Sequence, residues 1–217
     1  MKIVSVILAR GGSKGIPKKN IVDLNGAPLI WYTINASKMS SVHETWVSTD
    51  DNEISKIAEE AGALILKRPP NLATDTSQSE EALLHFADNV DFDILVFIQP
   101  TSPLLCHYHI NQGLNMMKDN SSVFSAYKEH WQPRWNKESI LGIEVSHPLD
   151  WNPNQRPRRQ DVEETYVENG AFYITTKECL LKSKLRYSGK TGILEMSQKE
   201  SFQIDTYNDL ELIKKLI

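Results

Sequence analysis

IVSVILARGGSKGIPKKN, residues Ile3 to Asn20, sets an apolar run directly against a loop of glycines and cations. The run Ile3 to Ala9 reads as a buried first strand, because it is far shorter than the roughly 18 residues of a membrane span. No small-residue cleavage site follows it. The loop packs Gly11, Gly12 and Gly15 among Arg10, Ser13, Lys14, Lys18 and Lys19. Glycines let backbone N–H groups approach an anion closely, and the flanking cations neutralise the charge of a triphosphate and of departing pyrophosphate. The other reading is a solvated basic turn. The place of the loop, at the carboxyl end of strand one where open α/β sheets bind ligands, favours phosphate. The spacings GxxxxGK[ST] and GxGxxG are both absent, so neither a P-loop ATPase nor a dinucleotide-binding fold gains support.

Outward from this stretch, strand-like apolar runs recur at Thr45 to Ser48, Ala63 to Leu66, Ile94 to Ile98 and Ser122 to Ala126. Between them, Leu29 to Met39, Asp51 to Ala61, Ser79 to Asn89 and Ile110 to Lys118 each place apolar residues on one helical face. Pro28 suits a helix start and Gly62 a helix stop. Alternation of this kind predicts an α/β fold, a three-layer sandwich around a mostly parallel sheet. After Ala126 the pattern breaks: Tyr127 to Glu168 holds Trp131, Trp135 and Trp151 among prolines and scattered charges, without sustained helical or strand periodicity. The tryptophans cap the edge of the core or belong to a subunit interface or substrate lid. Regular structure resumes with a strand Ala171 to Thr175, a helix around Lys177 to Lys182, a strand Gly192 to Met196 and a closing helix Tyr207 to Leu216.

The 217 residues suit one domain, with residues 127–168 as an excursion from it. Twenty-four Lys and Arg against 28 Asp and Glu give a formal charge of −4, which offers no general attraction for nucleic acid or an anionic membrane. Any phosphate site must therefore be a local concentration of positive charge. The only cysteines, Cys106 and Cys179, have neither disulfide-framework nor zinc-ligand spacing, which fits a reducing cytoplasm.

Three further motifs carry polar chemistry. QPTSP, Gln99 to Pro103, follows ILVFI at another strand's carboxyl end, where Gln99, Thr101 and Ser102 suit a base edge, a ribose or a sugar hydroxyl, or else form a rigid turn. RPRRQD, Arg156 to Asp161, supplies three guanidinium groups, and one planar fork can hold a carboxylate by two parallel hydrogen bonds. The alternative is a solvated basic run. QIDTYNDL places Asp205 just before the last helix as a metal ligand or a helix cap, and Asp209 as a charge on that helix's exposed face. None of the histidines, at positions 43, 85, 107, 109, 130 and 147, lies inside these motifs, so no general base stands out.

ARGGSKGIPKKN, RPPNLATDTSQS, QPTSP and NGAFYI occur in the order found in acylneuraminate cytidylyltransferases, the CMP-sialic acid synthetases, and the chain resembles that family over nearly its whole length. The resemblance implies a Rossmann-like nucleotidyltransferase sheet and an enzyme using CTP, with Mg2+, to form a CMP-activated nonulosonic acid and pyrophosphate. Arg10, Gly11, Gly12, Ser13, Lys14, Lys19 and Asn20 would then bind nucleotide, joined by Arg68 and Ser79; otherwise Arg68 is a solvated loop charge and Ser79 a helix cap. Gln99, Arg159, Asn169 and Tyr173 match sugar positions, Arg159 by its place ten residues before Asn169, while Tyr173 reads almost equally as core. Arg10, Lys19 and Asp205 are the expected catalytic set, with Asp205 the metal ligand. Two positions depart from the family's pattern: Gln203 stands where the first of two acids is usual, and Leu105 where Arg commonly follows QPTSPL. The resemblance also implies a cytoplasmic homodimer joined through residues 127–168. CMP-Kdo synthesis or another sugar nucleotidyl transfer, and a non-catalytic nucleotide-binding homologue, are the competing readings.

Overall fold

The computed structural model describes residues 1–13 and 15–217. Its centre is a seven-stranded sheet. Four strands form a parallel half: β1 (Ile3–Leu8) lies between β4 (Glu44–Thr49), which also pairs with β5 (Leu64–Lys67), and β6 (Ile94–Ile98). On the other side of β6 runs β10 (Thr165–Thr176), antiparallel to it, followed by β7 (Ser122–Glu129) and β11 (Thr191–Glu195), which pair with each other in parallel. The short strands β2 (Asp23–Leu24) and β3 (Ala27–Pro28) form a separate ribbon.

Strand alternation divides the core in two. In β6, Ile94, Val96 and Ile98 face one way and pack with α1 (Leu29–Lys38), α2 (Asn52–Glu60) and α4 (His107–Met116) through Ile30, Ile34, Ile54 and Ile110. Leu95 and Phe97 face the other way, joining Leu83 and Phe86 of α3 (Ser79–Asn89) and Leu180 of α5 (Lys177–Ser183). A continuous apolar strand such as ILVFI is the signature of a strand covered on both faces. Each fully buried Leu, Ile or Phe contributes roughly 1.5–3 kcal/mol relative to exposure. The expected three-layer α/β sandwich is therefore the fold.

Local chemistry sets the helix ends. Asp51 caps α2, its carboxylate accepting the N–H groups of Glu53 and Ile54 at 2.8 and 3.0 Å. Gly62 follows α2 with φ of +86°, which only glycine adopts without strain. The last helix, α6 (Tyr207–Lys214), corrects two expectations. Its cap is Thr206 rather than Asp205, and Asp209 is a capping-box residue, its carboxylate accepting the N–H and hydroxyl of Thr206 at 2.7 and 2.9 Å. Leu105, which stands where the family's pattern commonly has Arg, is 3% exposed and belongs to the core cluster that contains Ile110.

Two compact units result: residues 1–127 with 168–217, and residues 128–167. The second corrects the expectation of irregular structure, because it contains an antiparallel hairpin, β8 (Trp135–Ile140) and β9 (Ile143–Pro148). Leu141 and Gly142 turn it with φ of +53° and +82°. Both faces of its strands are largely exposed, so no alternation of apolar and polar residues marked it in the sequence. Trp135 and Trp151 pack edge to face with centroids 5.3 Å apart. Among the described residues no helix is long and apolar enough to cross a membrane.

A candidate nucleotide-binding cleft

Three loops leaving the carboxyl ends of β1, β5 and β6 meet in the first unit around a cavity of about 420 Å³. The first supplies Arg10, Gly12, Ser13, Gly15, Lys19 and Asn20; the second, Arg68, Leu72, Thr74, Ser77, Gln78 and Ser79; the third, Gln99, Pro100 and Thr101. Asp205, from the segment before α6, completes the lining. The chain thus assembles residues nearly 200 positions apart where its parallel strands end, as open α/β sheets do for ligands.

Positive charge is concentrated here and held by short contacts. Lys19 Nζ lies 2.8 Å from Asp205 Oδ1. Arg10 Nη1 donates to the Thr74 carbonyl at 2.6 Å and lies 2.9 Å from Asp75 Oδ1. Asn20, buried, donates from Nδ2 to the Arg10 carbonyl at 2.9 Å and so fixes the loop's entry to its end. Arg68 is 5% exposed and donates Nε to Ser48 Oγ at 3.1 Å and Nη2 to the Ser48 carbonyl at 2.6 Å. Burial lowers its pKa to about 10, against the favourable charge of Asp50 and with added repulsion from Arg10. A guanidinium desolvated in this way at a cavity wall gains from any anion that enters.

The glycines play unlike parts. Gly11 directs its N–H to Asp50 Oδ1 at 3.0 Å, so that donor is engaged within the protein, and Gly11 does not line the cavity. A Cβ on Gly15 would stand 2.5 Å from the Asp205 carbonyl oxygen, whereas one on Gly12 would meet nothing within 4 Å. Lys14 lies outside the described residues. Lys18, with φ of +52°, turns its amine to Glu53.

The expected sugar residues separate. Gln99 lines the cavity. Asn169 is 7% exposed and does not line it; its Oδ1 accepts the Ser125 hydroxyl at 2.6 Å and the Ala171 N–H at 3.0 Å, and its Nδ2 donates to Ser201 Oγ at 2.8 Å. Tyr173 is also buried outside the lining, stacked on Phe97 at 5.5 Å with its hydroxyl donating to Glu168, and burial with that carboxylate pushes its pKa up. Phe97 itself lines the cavity. Arg159 opens a single helical turn in the second unit. Its neighbour Arg158 is committed to Asp161 through bonds of 2.7 and 3.0 Å, and no carboxylate pairs with Arg159 among the described residues.

Gln203 donates its side-chain amide to the Asn169 carbonyl, which leaves Asp205 as the acid of this segment that lines the cavity. Among the described residues no group of three or more His, Cys, Asp or Glu could enclose a metal. A lone, 67% exposed carboxylate fits a hard cation that keeps water and takes its other oxygens from phosphate, as magnesium does. Sequence reasoning passed over Asp50 and Asp75, the carboxylates that hold Gly11 and Arg10; Asp75 lay within a quoted motif, but only the fold shows what it faces.

The sequence matches the protein family described as Cytidylyltransferase over residues 4–217. It is 39% identical to an N-acylneuraminate cytidylyltransferase of Oncorhynchus mykiss, over 94% of this chain and 47% of the relative. It is 33% identical to one of Streptococcus agalactiae serotype V, over 96% of this chain and 52% of the relative. The chain thus spans about half the length of the curated relatives it matches. The fold is similar to that of a CMP:2-keto-3-deoxy-manno-octonic acid synthetase complexed with CTP, at TM-score 0.75 and 20% identity over 100% of this chain and 98% of the other. It is also similar to a 4-diphosphocytidyl-2C-methyl-D-erythritol synthase from Anaerococcus prevotii, at TM-score 0.70 and 13% identity over 99% and 95%.

Proposed function

The chain belongs to the cytidylyltransferase family, and from that premise we propose that it transfers the cytidylyl group of CTP to a nine-carbon, sialic-type sugar acid. The anomeric hydroxyl attacks the α-phosphorus while its proton passes to water, the bond from the α-phosphorus to the bridging oxygen breaks so that pyrophosphate leaves in line, and the CMP-sugar is the product. The observation that carries this reading is the cavity itself, which gathers Arg10, Lys19, Arg68 and Asp205 at the carboxyl ends of parallel strands in a chain whose net charge is negative.

Catalysis in this reading is positioning and charge stabilisation. Arg10 and Lys19 turn from Asp75 and Asp205 to the triphosphate, whose oxygens are the stronger anionic partners. Arg68 contributes a buried guanidinium, and Gly12, Ser13, Asn20 and Ser79 face the nucleotide. Gln99 faces the sugar, and Arg159 pairs with its carboxylate. Asp205 would hold Mg2+, which when bound withdraws charge from phosphate oxygens. Residues 127–168 serve as the dimerisation and substrate-lid excursion of a cytoplasmic homodimer, a role supported by the exposed apolar side chains Trp135, Ile140, Leu141 and Ile143.

The deciding experiment is pyrophosphate release by the purified protein with CTP and magnesium, across N-acetylneuraminate, legionaminate, pseudaminate and Kdo, with no-sugar and no-metal controls. Release with a nonulosonate supports the reading and names the sugar. Release with Kdo alone replaces the substrate, and silence throughout despite CTP binding marks a non-catalytic homologue, the outcome that Gln203 in an acid's place would suggest.

A further inference from the structure

We propose that Arg186 is a positioning residue of the cleft: it fastens the first turn of α3, and with it Ser79, to the aromatic stack that includes Phe97. The inference rests on the CTP-binding reading above and adds to it a residue that lines no part of the cavity. Arg186 follows α5 in a loop that is remote in sequence from every nucleotide motif. Its Nε and Nη2 donate to the two oxygens of Glu80 at 2.6 and 2.9 Å, a parallel fork on the residue next to Ser79. The guanidinium carbon also lies 5.5 Å from the Phe97 ring centroid and 5.0 Å from that of Tyr173, which stack on each other. One cation therefore touches α3, β6 and β10 together.

Isolated surface ion pairs hold little, because solvent screens them and two side chains must be ordered. This pair differs on three counts. The side chains of Arg186 and Glu80 are 21% and 18% exposed, the geometry is bidentate, and two rings flank the cation. Burial pushes the Glu80 carboxyl up, yet the hydrogen bonds and charge of Arg186 carry it below its ordinary value. Ser79 and Phe97 are opposite ends of this bracket and both line the cavity. Cutting it leaves the catalytic groups in place but frees one wall.

The test combines steady-state kinetics with hydrogen exchange on Arg186→Ala, Glu80→Gln and the double variant. Arg186→Ala should raise the KM for CTP about five- to fiftyfold, with kcat held within about threefold. Amides of residues 79–83 should exchange faster while those of β1 stay protected. Glu80→Gln, nearly isosteric, should reproduce both effects and carries the test if Arg186→Ala does not fold. The double variant should be no worse than either single one, since both cut one contact. Unchanged KM and exchange, additive losses, or loosening spread over the whole chain would each overturn the assignment. If the wild-type protein neither binds nor turns over CTP, the catalytic reading falls, and exchange confined to residues 79–83 still decides the role of Arg186.

Discussion

Lys19 Nζ and Asp205 Oδ1 meet at 2.8 Å across 186 residues of chain, and the same loop presses Gly15 against the Asp205 backbone so closely that a Cβ would lie 2.5 Å from its carbonyl oxygen. The basic loop and the segment before α6 are thus one structure. Their contact brings the proposed phosphate ligands and the proposed metal ligand into a single wall.

Asp205→Asn tests the metal. The carboxylate is 67% exposed, so neither folding nor the Thr206 cap depends on it. Magnesium-dependent pyrophosphate release should fall at least about a hundredfold, with thermal stability essentially unchanged. Full activity in this variant, measured across a magnesium titration, would remove the metal from Asp205.

Gly15→Ala tests the close approach. Its methyl group would press on backbone rather than on a flexible side chain, so the loop must shift, at a cost of about 1–3 kcal/mol. The KM for CTP should rise about tenfold and the melting temperature should fall. Gly12→Ala has open space around its Cβ and should leave the melting temperature alone. Equal melting temperatures for the two variants would separate Gly15 from Asp205.

Asp75→Asn tests whether Arg10 is held in reserve. In the free protein the Asp75 carboxylate occupies the guanidinium, 2.9 Å from Nη1, and a nucleotide must displace it. Removing its charge should lower the KM for CTP about two- to fivefold, the range expected of one exposed ion pair. The gain should shrink as ionic strength rises. A weaker affinity for CTP in this variant would mean that Asp75 orders Arg10 for phosphate instead of competing with it.

The sequence told these parts apart unevenly, for physical reasons. ILVFI announced a strand buried on both faces, and its bounds at Ile94 and Ile98 match the structure because burial leaves no polar residue to blur them. The first loop announced itself by packing glycines among cations. The hairpin Trp135 to Pro148 did not, since strands exposed on both faces carry no alternation. Asn169 stood in a motif, but spacing could not tell whether its amide faced solvent, ligand or Ser125. The partnership of Glu80 with Arg186 spans 106 residues and has no local signature at all.

Arg68→Met sets stability against binding. A base whose folded pKa, about 10, lies below its ordinary unfolded value destabilises the folded chain at every pH under about 10. That cost, of order 3 kcal/mol by the size of the shift, fades only as pH climbs above about 10 toward the unfolded value. Met removes the charge, and the Ser48 carbonyl keeps a partner in the Ala9 N–H at 3.0 Å, but the buried Ser48 hydroxyl loses its bond from Arg68 Nε, which offsets about 1–2 kcal/mol of the gain. The melting temperature at pH 7 should therefore rise by roughly 3–6 °C, and the difference should narrow above pH 10. Affinity for CTP should drop at least about thirtyfold. A less stable variant at pH 7 would show that the two bonds to Ser48 outweigh the desolvated charge.

Arg159→Ala asks whether the second unit reads the sugar. Arg158 is bound to Asp161, whereas Arg159 has no carboxylate partner among the described residues, which leaves its fork available to a substrate carboxylate. Loss of that bidentate pair should raise the KM for the sugar acid about thirtyfold or more while CTP affinity, measured by calorimetry without sugar, stays within about twofold. Arg158→Ala should instead loosen the turn at Asp161 and affect the sugar less. Equal losses for CTP and sugar in Arg159→Ala would place this arginine in the framework of the second unit, and the carboxylate of the sugar would need another partner, for which Arg156 is the nearest candidate in sequence.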